Sequence, residues 1–339
     1  MGDDKDVKQD VWVGFDLGGT KMLAVILDEN LKPLGRKRRK TRGHEGIEAG
    51  FERIEETIEK AFKDADVDPA RLRGIGIGCP GILDLKKGII NEAPNLGWEN
   101  AAICSYLNKK FDVPVVLLND VDAGLYGEFQ FGAAKDAHNA LGIFPGTGIG
   151  GAFIYEGKIL QGNGRSCMEI GHIQVAPNGP LCGCGRRGCL EAVASRLAIS
   201  AAIAQAAYRG QAPYVRELAG TDMSDIRSGL IADAVEKDKV VKQIVQDAAY
   251  QIGLAAGSMI HLLAPDKIVL GGGLAEALPD LFKKGVNNGI EDWIMPSFKG
   301  SYEVEVAKLG DDSTVLGAAA YARTYFQNEK SPEKAVVAS

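Results

Sequence analysis

The chain has 339 residues, 45% of them hydrophobic, enough to bury a large core without staples; at roughly 150 residues per domain the length points to two domains, with one large domain as the alternative on this count alone. With 39 Lys and Arg against 45 Asp and Glu, the net charge of -6 argues against a partner bound by broad phosphate neutralisation, so no nucleic acid is expected. The opening MGDDKDVKQD is acidic where a secretory signal would be basic, no apolar run is long enough to span a bilayer, and six cysteines are too few for a disulfide-dense scaffold; a reduced, cytoplasmic protein is expected.

Residues 11–17 (VWVGFDL) and 22–28 (MLAVILD) read as strands around the turn GGTK, and NLKPLG supplies a polar turn and a third strand. From Ile47 onward, Phe51, Ile54, Ile58 and Phe62 return at helical spacing with acidic residues between them, predicting a surface helix over a sheet. RLRGIGIG at 71–78 reads as a strand stopped by Cys79, Pro80 and Gly81. Asn100 is placed to cap a short helix carrying Ile103 and Leu107, and VPVVLL at 113–118 is a buried strand ending at Asn119 and Asp120. Near Ala140 the order strand, glycine turn, strand, tight turn, strand begins again with ALGIF, PGTGIGG and AFIYEGKIL, which predicts a duplicated architecture. Helices follow at about 190–208 and 241–263, then a short strand at 268–270 opening into Gly271, Gly272 and Gly273, a strand at 304–309 and a late helix starting at Ser313. The end, with NEKSPEKA, reads as a loose tail.

Segments at Gly76–Gly81, Gly146–Gly151 and Gly183–Gly188 satisfy or approach G-x-G-x-x-G. The first lacks the helix a dinucleotide fold needs, the last overlaps a cysteine cluster, and the strict P-loop pattern is absent. What remains is a pair of glycine loops between strands. At Asp16, Gly18, Gly19, Thr20 and Lys21, and again at Gly146, Thr147, Gly148 and Gly150, small residues and a hydroxyl leave backbone N–H groups free to face a phosphate. Asp16 at a strand end can orient Mg2+ through water, and Lys21 can approach phosphate. Either loop alone also reads as a tight hairpin; their pairing favours the phosphate reading.

Cys182, Cys184 and Cys189 form C-x-C-x4-C, with His172 ten residues before the first. A Cys3His set suits tetrahedral zinc and leaves no position for a catalytic water, so the site reads as structural. Asn119 and Asp120, two polar side chains immediately after a buried strand, are placed to act on something; a carboxylate there can orient a hydroxyl and take its proton. NDVDAG also reads as a helix-capping turn, and Asp122 is the less favoured carboxylate.

In this order DLGGTK, the Asn119–Asp120 pair, GTGIGG, EIGH, CxCGxxGCLE and GGG resemble the ROK family of bacterial sugar kinases and repressors, within the sugar kinase, actin and heat-shock ATPase superfamily, from about Val11 to Ala322. The resemblance implies an α/β protein with an actin-like ATPase (ribonuclease H-like) fold: two duplicated mixed-sheet domains and an interdomain cleft. Residues 1–122, completed by a terminal helix at 312–326, would form the first domain; 123–311 would form the second, with the zinc motif; and 327–339 would be a flexible tail. The resemblance makes Asp16 to Lys21 the first phosphate loop, Gly146 to Gly151 the second, Gly271, Gly272 and Gly273 the adenosine-side turn, and Asp120 the base. It also makes Asn95 (in APNLGW), Asn119, Asp120, Glu169, His172 and Glu191 sugar-hydroxyl partners, Asp120 taking the proton of the attacking hydroxyl and His172 serving zinc through its other ring nitrogen. Trp98 would pack internally or stack on sugar.

The activity so implied is ATP-dependent phosphorylation of a hexose 6-hydroxyl, D-glucose first, with Mg2+ and structural Zn2+, in glycolysis. Fructose, N-acetylmannosamine or N-acetylglucosamine kinases and a catalytically silent sugar-binding regulator are the alternatives. Two positions depart from the family pattern and bear on sugar selectivity: Met168 replaces the usual Gly or Ala before Glu169, and Ser166 stands where glycine is common. ROK repressors carry a helix-turn-helix region, for which the ten residues ahead of the first strand leave no room. A homodimer or homotetramer is expected, with no membrane partner.

Overall fold

A computed structural model describes residues 10–329; the tail expected beyond them lies outside the described residues. In chain order the first elements are β1 (Val11–Leu17), β2 (Lys21–Leu27), β3 (Pro33–Lys40), α1 (Ile47–Ala65), β4 (Leu72–Cys79), β5 (Ile82–Asp84), β6 (Ile89–Ala93), β7 (Trp98–Ala101), α2 (Ile103–Phe111), β8 (Val115–Asn119) and α3 (Asp120–Phe131). There follow β9 (Asn139–Pro145), β10 (Ile149–Tyr155), β11 (Lys158–Ile159), α4 (Leu190–Ala194), α5 (Arg196–Tyr208), α6 (Pro213–Ala219), α7 (Ser228–Val235) and α8 (Lys239–Leu263). The chain closes with β12 (Lys267–Leu270), α9 (Gly273–Ala277), α10 (Pro279–Trp293), β13 (Glu303–Val306) and α11 (Ser313–Glu329). Among the described residues, no helix is long and apolar enough to cross a membrane.

The chain divides into two units. The described part of the first comprises residues 10–130, 161–166 and 311–329; the second comprises 131–160 and 167–310. A junction at 122/123 would cut α3 in its first turn. The first unit instead keeps nearly the whole helix, because its interior residues Ala123 to Glu128 are buried and its backbone bonds run on through them. Segment 161–166 belongs to the first unit through local bonds: Leu85 N–H to Gly164 O (3.0 Å), Lys86 Nζ to Asn163 Oδ1 (2.7 Å) and Ser166 Oγ to Asp122 Oδ2 (2.7 Å).

In the first unit a five-stranded sheet runs β3-β2-β1-β4-β8. Its β1–β2–β3 meander is antiparallel, and β1, β4 and β8 are parallel. Because β1, β2 and β4 are covered on both faces, their sequences are nearly continuous apolar runs rather than alternating ones. Helix α1 presents Phe51, Ile54, Ile58 and Phe62 to the core. Helix α11 packs on β1 and β4 so closely that a Cβ at Gly14 would sit 1.9 Å from Val315 O, and one at Gly76 1.9 Å from Ala318 O. A small antiparallel sheet, β5-β6-β7, completes the unit. Asn100 lies in β7 with φ 54, and Ala102 precedes α2 without a side-chain cap, so the expected Asn100 cap is not formed.

The second unit repeats the plan. Its sheet runs β11-β10-β9-β12-β13, with an antiparallel meander followed by parallel β12 and β13. Phe153, Ile199, Ile203, Ile252, Ile260 and Phe282 lie in its core. The strand expected at 304–309 ends at Val306.

Candidate active site and metal knot

Each glycine loop is the first turn of a meander. Between β1 and β2, Gly18 O accepts a bond from Thr41 Oγ (2.6 Å), and Thr41 N–H donates to Thr20 O (2.9 Å), so buried Thr41 fixes the loop while Thr20 and Lys21 stay exposed. A Cβ at Gly19 would lie 3.0 Å from Asn95 Cβ, which places exposed Asn95, on the β6–β7 turn, beside the loop.

The parallel strands deliver the carboxylates. Asp16 pairs in register with Gly78, and Gly78 with Leu118, two residues before Asp120. Burial raises Asp16 from 3.8 to about 7; the negative charges of Asp120 and Asp311 add to this, and Arg38 opposes it. Asn119 Oδ1 accepts from Val121 N–H (2.9 Å) and Asp122 N–H (3.4 Å), and Asp120 Oδ1 accepts from Val121 N–H (3.0 Å). Asn119 therefore caps α3 and presents Asp120 as its first residue. Asp122 is buried and accepts the Ser166 hydroxyl, a structural placement. Trp98 belongs to the core: it is buried, donates from Nε1 to Gly43 O (3.2 Å) and meets Phe51 edge-on at 5.8 Å.

In the second unit, Gly146 N–H donates to Gly148 O (2.8 Å), Arg196 N–H to Gly146 O (3.0 Å) and Arg196 Nη2 to Thr147 Oγ (3.1 Å). The third glycine run abuts this turn: a Cβ at Gly272, whose φ is +89, would lie 2.6 Å from Pro145 O. The EIGH segment packs against β10 on the other side, since a Cβ at Gly171 would lie 2.1 Å from Ile149 O and one at Gly151 2.3 Å from Met168 O. Met168 holds a left-handed φ of 64 immediately before exposed Glu169. A side chain there costs about 1 kcal/mol that glycine would not incur. Glu191, in the first turn of α4, accepts Ile149 N–H at Oε2 (3.1 Å).

The ligand atoms of His172, Cys182, Cys184 and Cys189 lie within 4.8 Å of one another. Cys182 Sγ is 3.7 Å from His172 Nδ1, and Cys184 Sγ is 3.6 Å from Cys189 Sγ. A tetrahedron with 2.3 Å Zn–S bonds has edges of about 3.8 Å, so the donor set and its spacing fit Zn2+. Burial pushes the Cys182 thiol up to about 12 and raises that of Cys189, while the Arg186 N–H lowers that of Cys184.

Of the residues singled out from sequence, the first unit gathers Asp16, Gly18 to Lys21, Asn95, Asn119 and Asp120. The second gathers Gly146 to Gly150, Glu169, His172, Glu191, Gly271 to Gly273 and the three cysteines. Sequence reasoning missed Thr41, which sits in no motif and reaches the loop from 23 residues away. It also missed the field around Asp16 made by Asp311 and Arg38, and Cys79, a buried strand-end thiol raised by burial and by Asp120 and Asp16.

Residues 12–325 match the ROK family. The glucokinase of Thermotoga maritima is 35% identical over 91% of this chain and 95% of its own. The xylose repressor of Caldicellulosiruptor bescii is 30% identical over 78% of this chain and 65% of its own. A crystal structure of a ROK family glucokinase from Streptomyces griseus, in complex with glucose and AMPPNP, superposes with a TM-score of 0.80 at 28% identity, covering 93% of this chain and 99% of that one.

Proposed function

The chain belongs to the ROK family, and we propose that it is a sugar kinase that transfers the terminal phosphoryl group of ATP to the 6-hydroxyl of a hexose, D-glucose first. The observation that carries this reading is the carboxylate pair of the first unit. Asp120 stands at the end of β8, close enough to Asp16 to raise it, and Asp16 precedes a glycine loop built to face phosphate.

In the reaction the sugar O6 attacks the γ-phosphorus, the bond from phosphorus to the β,γ-bridging oxygen breaks, ADP leaves, and the O6 proton passes to Asp120. Mg2+ bound with the nucleotide supplies charge to the phosphate oxygens, and Asp16 would hold it through water. Thr20, Lys21, Thr147 and loop amides other than those of Gly146 and Ile149, which are bonded within the protein, bind the phosphates; Gly271, Gly272 and Gly273 let the adenosine side approach backbone. Asn95, Asn119, Glu169, His172 and Glu191 bind sugar hydroxyls. His172, Cys182, Cys184 and Cys189 would hold Zn2+, which locks the segments carrying Glu169 and Glu191.

The test is turnover by the purified protein with Mg·ATP and glucose, fructose, N-acetylmannosamine or N-acetylglucosamine, reading ADP release and product mass. Glucose 6-phosphate is expected. The similarity to repressors supports one other reading, a silent sugar-binding regulator, in which sugar binds and no ADP is released.

A further inference from the structure

Glu191 is placed to do more than meet a sugar. Its two carboxylate oxygens face different elements of the second unit. Oε2 accepts the Ile149 amide of the glycine loop at 3.1 Å, and Oε1 lies 3.6 Å from Sγ of the metal-knot residue Cys182. Gly148 makes room for this arrangement: a Cβ there would lie 2.2 Å from Oε2, too close for both to stay. The Ile149 amide is thereby held by a side chain and shapes the turn whose other end is closed by the Gly146 N–H to Gly148 O bond of 2.8 Å. The glycine at 148 thus serves the carboxylate, in addition to leaving the loop open to phosphate.

We propose that Glu191 is a positioning residue for the second phosphate loop, and that it couples sugar binding to nucleotide binding. This rests on the kinase reading above. A carboxylate has about four acceptor positions, so a sugar hydroxyl can bond Glu191 while the Ile149 amide keeps its own. The sugar then orders the carboxylate, the carboxylate orders the loop, and the nucleotide meets a loop already in its binding shape. Linkage makes the effect reciprocal: ADP and glucose raise each other's affinity by one common factor, about 5-fold if a single hydrogen bond's worth of order is shared.

The experiment titrates Mg·ADP by calorimetry, with and without saturating glucose, into the wild type and into Glu191→Gln, Glu191→Ala and Gly148→Ala. The wild type shows the coupling factor. Glu191→Gln keeps an oxygen for Ile149 and retains most of it. Glu191→Ala loses it, and so does Gly148→Ala, which displaces the carboxylate while leaving it chemically intact. In the wild type alone, glucose without nucleotide slows amide exchange across residues 146–151, a readout that needs no variant to fold. A wild type that binds no ADP sinks the kinase reading and this inference together. A wild type that binds ADP with a factor of one, or a factor unchanged in Gly148→Ala, overturns this inference and leaves the kinase reading standing.

Discussion

Replacing Asp16 with asparagine changes stability in a direction set by pH. The carboxyl group is raised from 3.8 to about 7 because burial penalises its charge and Asp120 and Asp311 repel it. In the unfolded chain it ionises near 3.8, so between these values the folded state holds a proton that the unfolded state has lost. Stability therefore falls as pH rises through that window and stays low above it, the reverse of a salt-bridged aspartate. A gap of about 3 units at ~1.4 kcal/mol each sets a ceiling of roughly 4 kcal/mol on the penalty. Asparagine is nearly isosteric and carries no charge. Asp16→Asn should match the wild type near about pH 4 and exceed it by up to ~4 kcal/mol at about pH 8, while losing phosphoryl transfer. Urea unfolding across that range measures the difference. Trp12 and Trp98 report the first unit once Trp293, in the second, is replaced by phenylalanine in both proteins. A gap that does not change with pH, or a variant less stable than wild type at the alkaline end, refutes the assignment of a buried, repelled carboxylate.

Other substitutions probe the remaining roles. Asp120→Asn should keep sugar affinity by calorimetry but drop turnover by ~10²–10⁴, the usual yield of a general base; near-normal turnover removes Asp120 from that role. The same variant should lower the Asp16 pKa, because one of the charges that raises it is gone. Cys184→Ala should lose zinc by elemental analysis and weaken sugar binding, and a variant with full metal content would falsify the knot. Gly76→Ala drives a Cβ against the backbone carbonyl of Ala318, which cannot swing aside as a side chain could, and should cost more than ~2 kcal/mol in thermal unfolding.

What could be read from the sequence divides along a physical line. Local, repeated signals were legible: the strand meanders, the helix at Ile47–Ala65 with its apolar face, both glycine turns and the clustered cysteines each follow from residues close in the chain. The β5-β6-β7 sheet was not, because its strands are short and mixed in polarity, with Ile82 exposed and Ala93 and Trp98 buried at the two ends of a turn. Asn100 failed as a cap because a strand, with Asn100 in left-handed backbone, occupies the position. Nothing local marked the glycines at 14 and 76, inside segments read as strands, as packing sites; only the docking of α11, more than 230 residues away in sequence, shows that they make room for a helix backbone. NDVDAG carried two readings, of which the capping one is formed: Asn119 spends its oxygen on the first amides of α3, and Asp120 is the first residue of that helix.

The two sheets explain why residues far apart in sequence gather at one place in each unit. In both orders, β3-β2-β1-β4-β8 and β11-β10-β9-β12-β13, the last three strands are parallel, so their carboxyl ends share one edge of the sheet. In the first unit that edge carries Asp16, Cys79 and Asp120, which is why their charges disturb one another. In the second the corresponding ends of β9 and β12 open into Gly146 and Gly271–Gly273, whose backbones meet at Gly272 and Pro145, and the carboxylates there are spent on amides: Glu276 Oε1 accepts Gly272 N–H (3.1 Å) and Glu191 Oε2 accepts Ile149 N–H (3.1 Å). The same strand ends thus carry the carboxylates of Asp16 and Asp120 in one copy and glycine backbone in the other. On the kinase reading, Gly272→Asp in the second copy should abolish Mg·ADP binding by calorimetry, since it adds a Cβ at a φ of +89, 2.6 Å from Pro145 O, and one negative charge to the glycine run; unchanged ADP affinity removes that run from the nucleotide site.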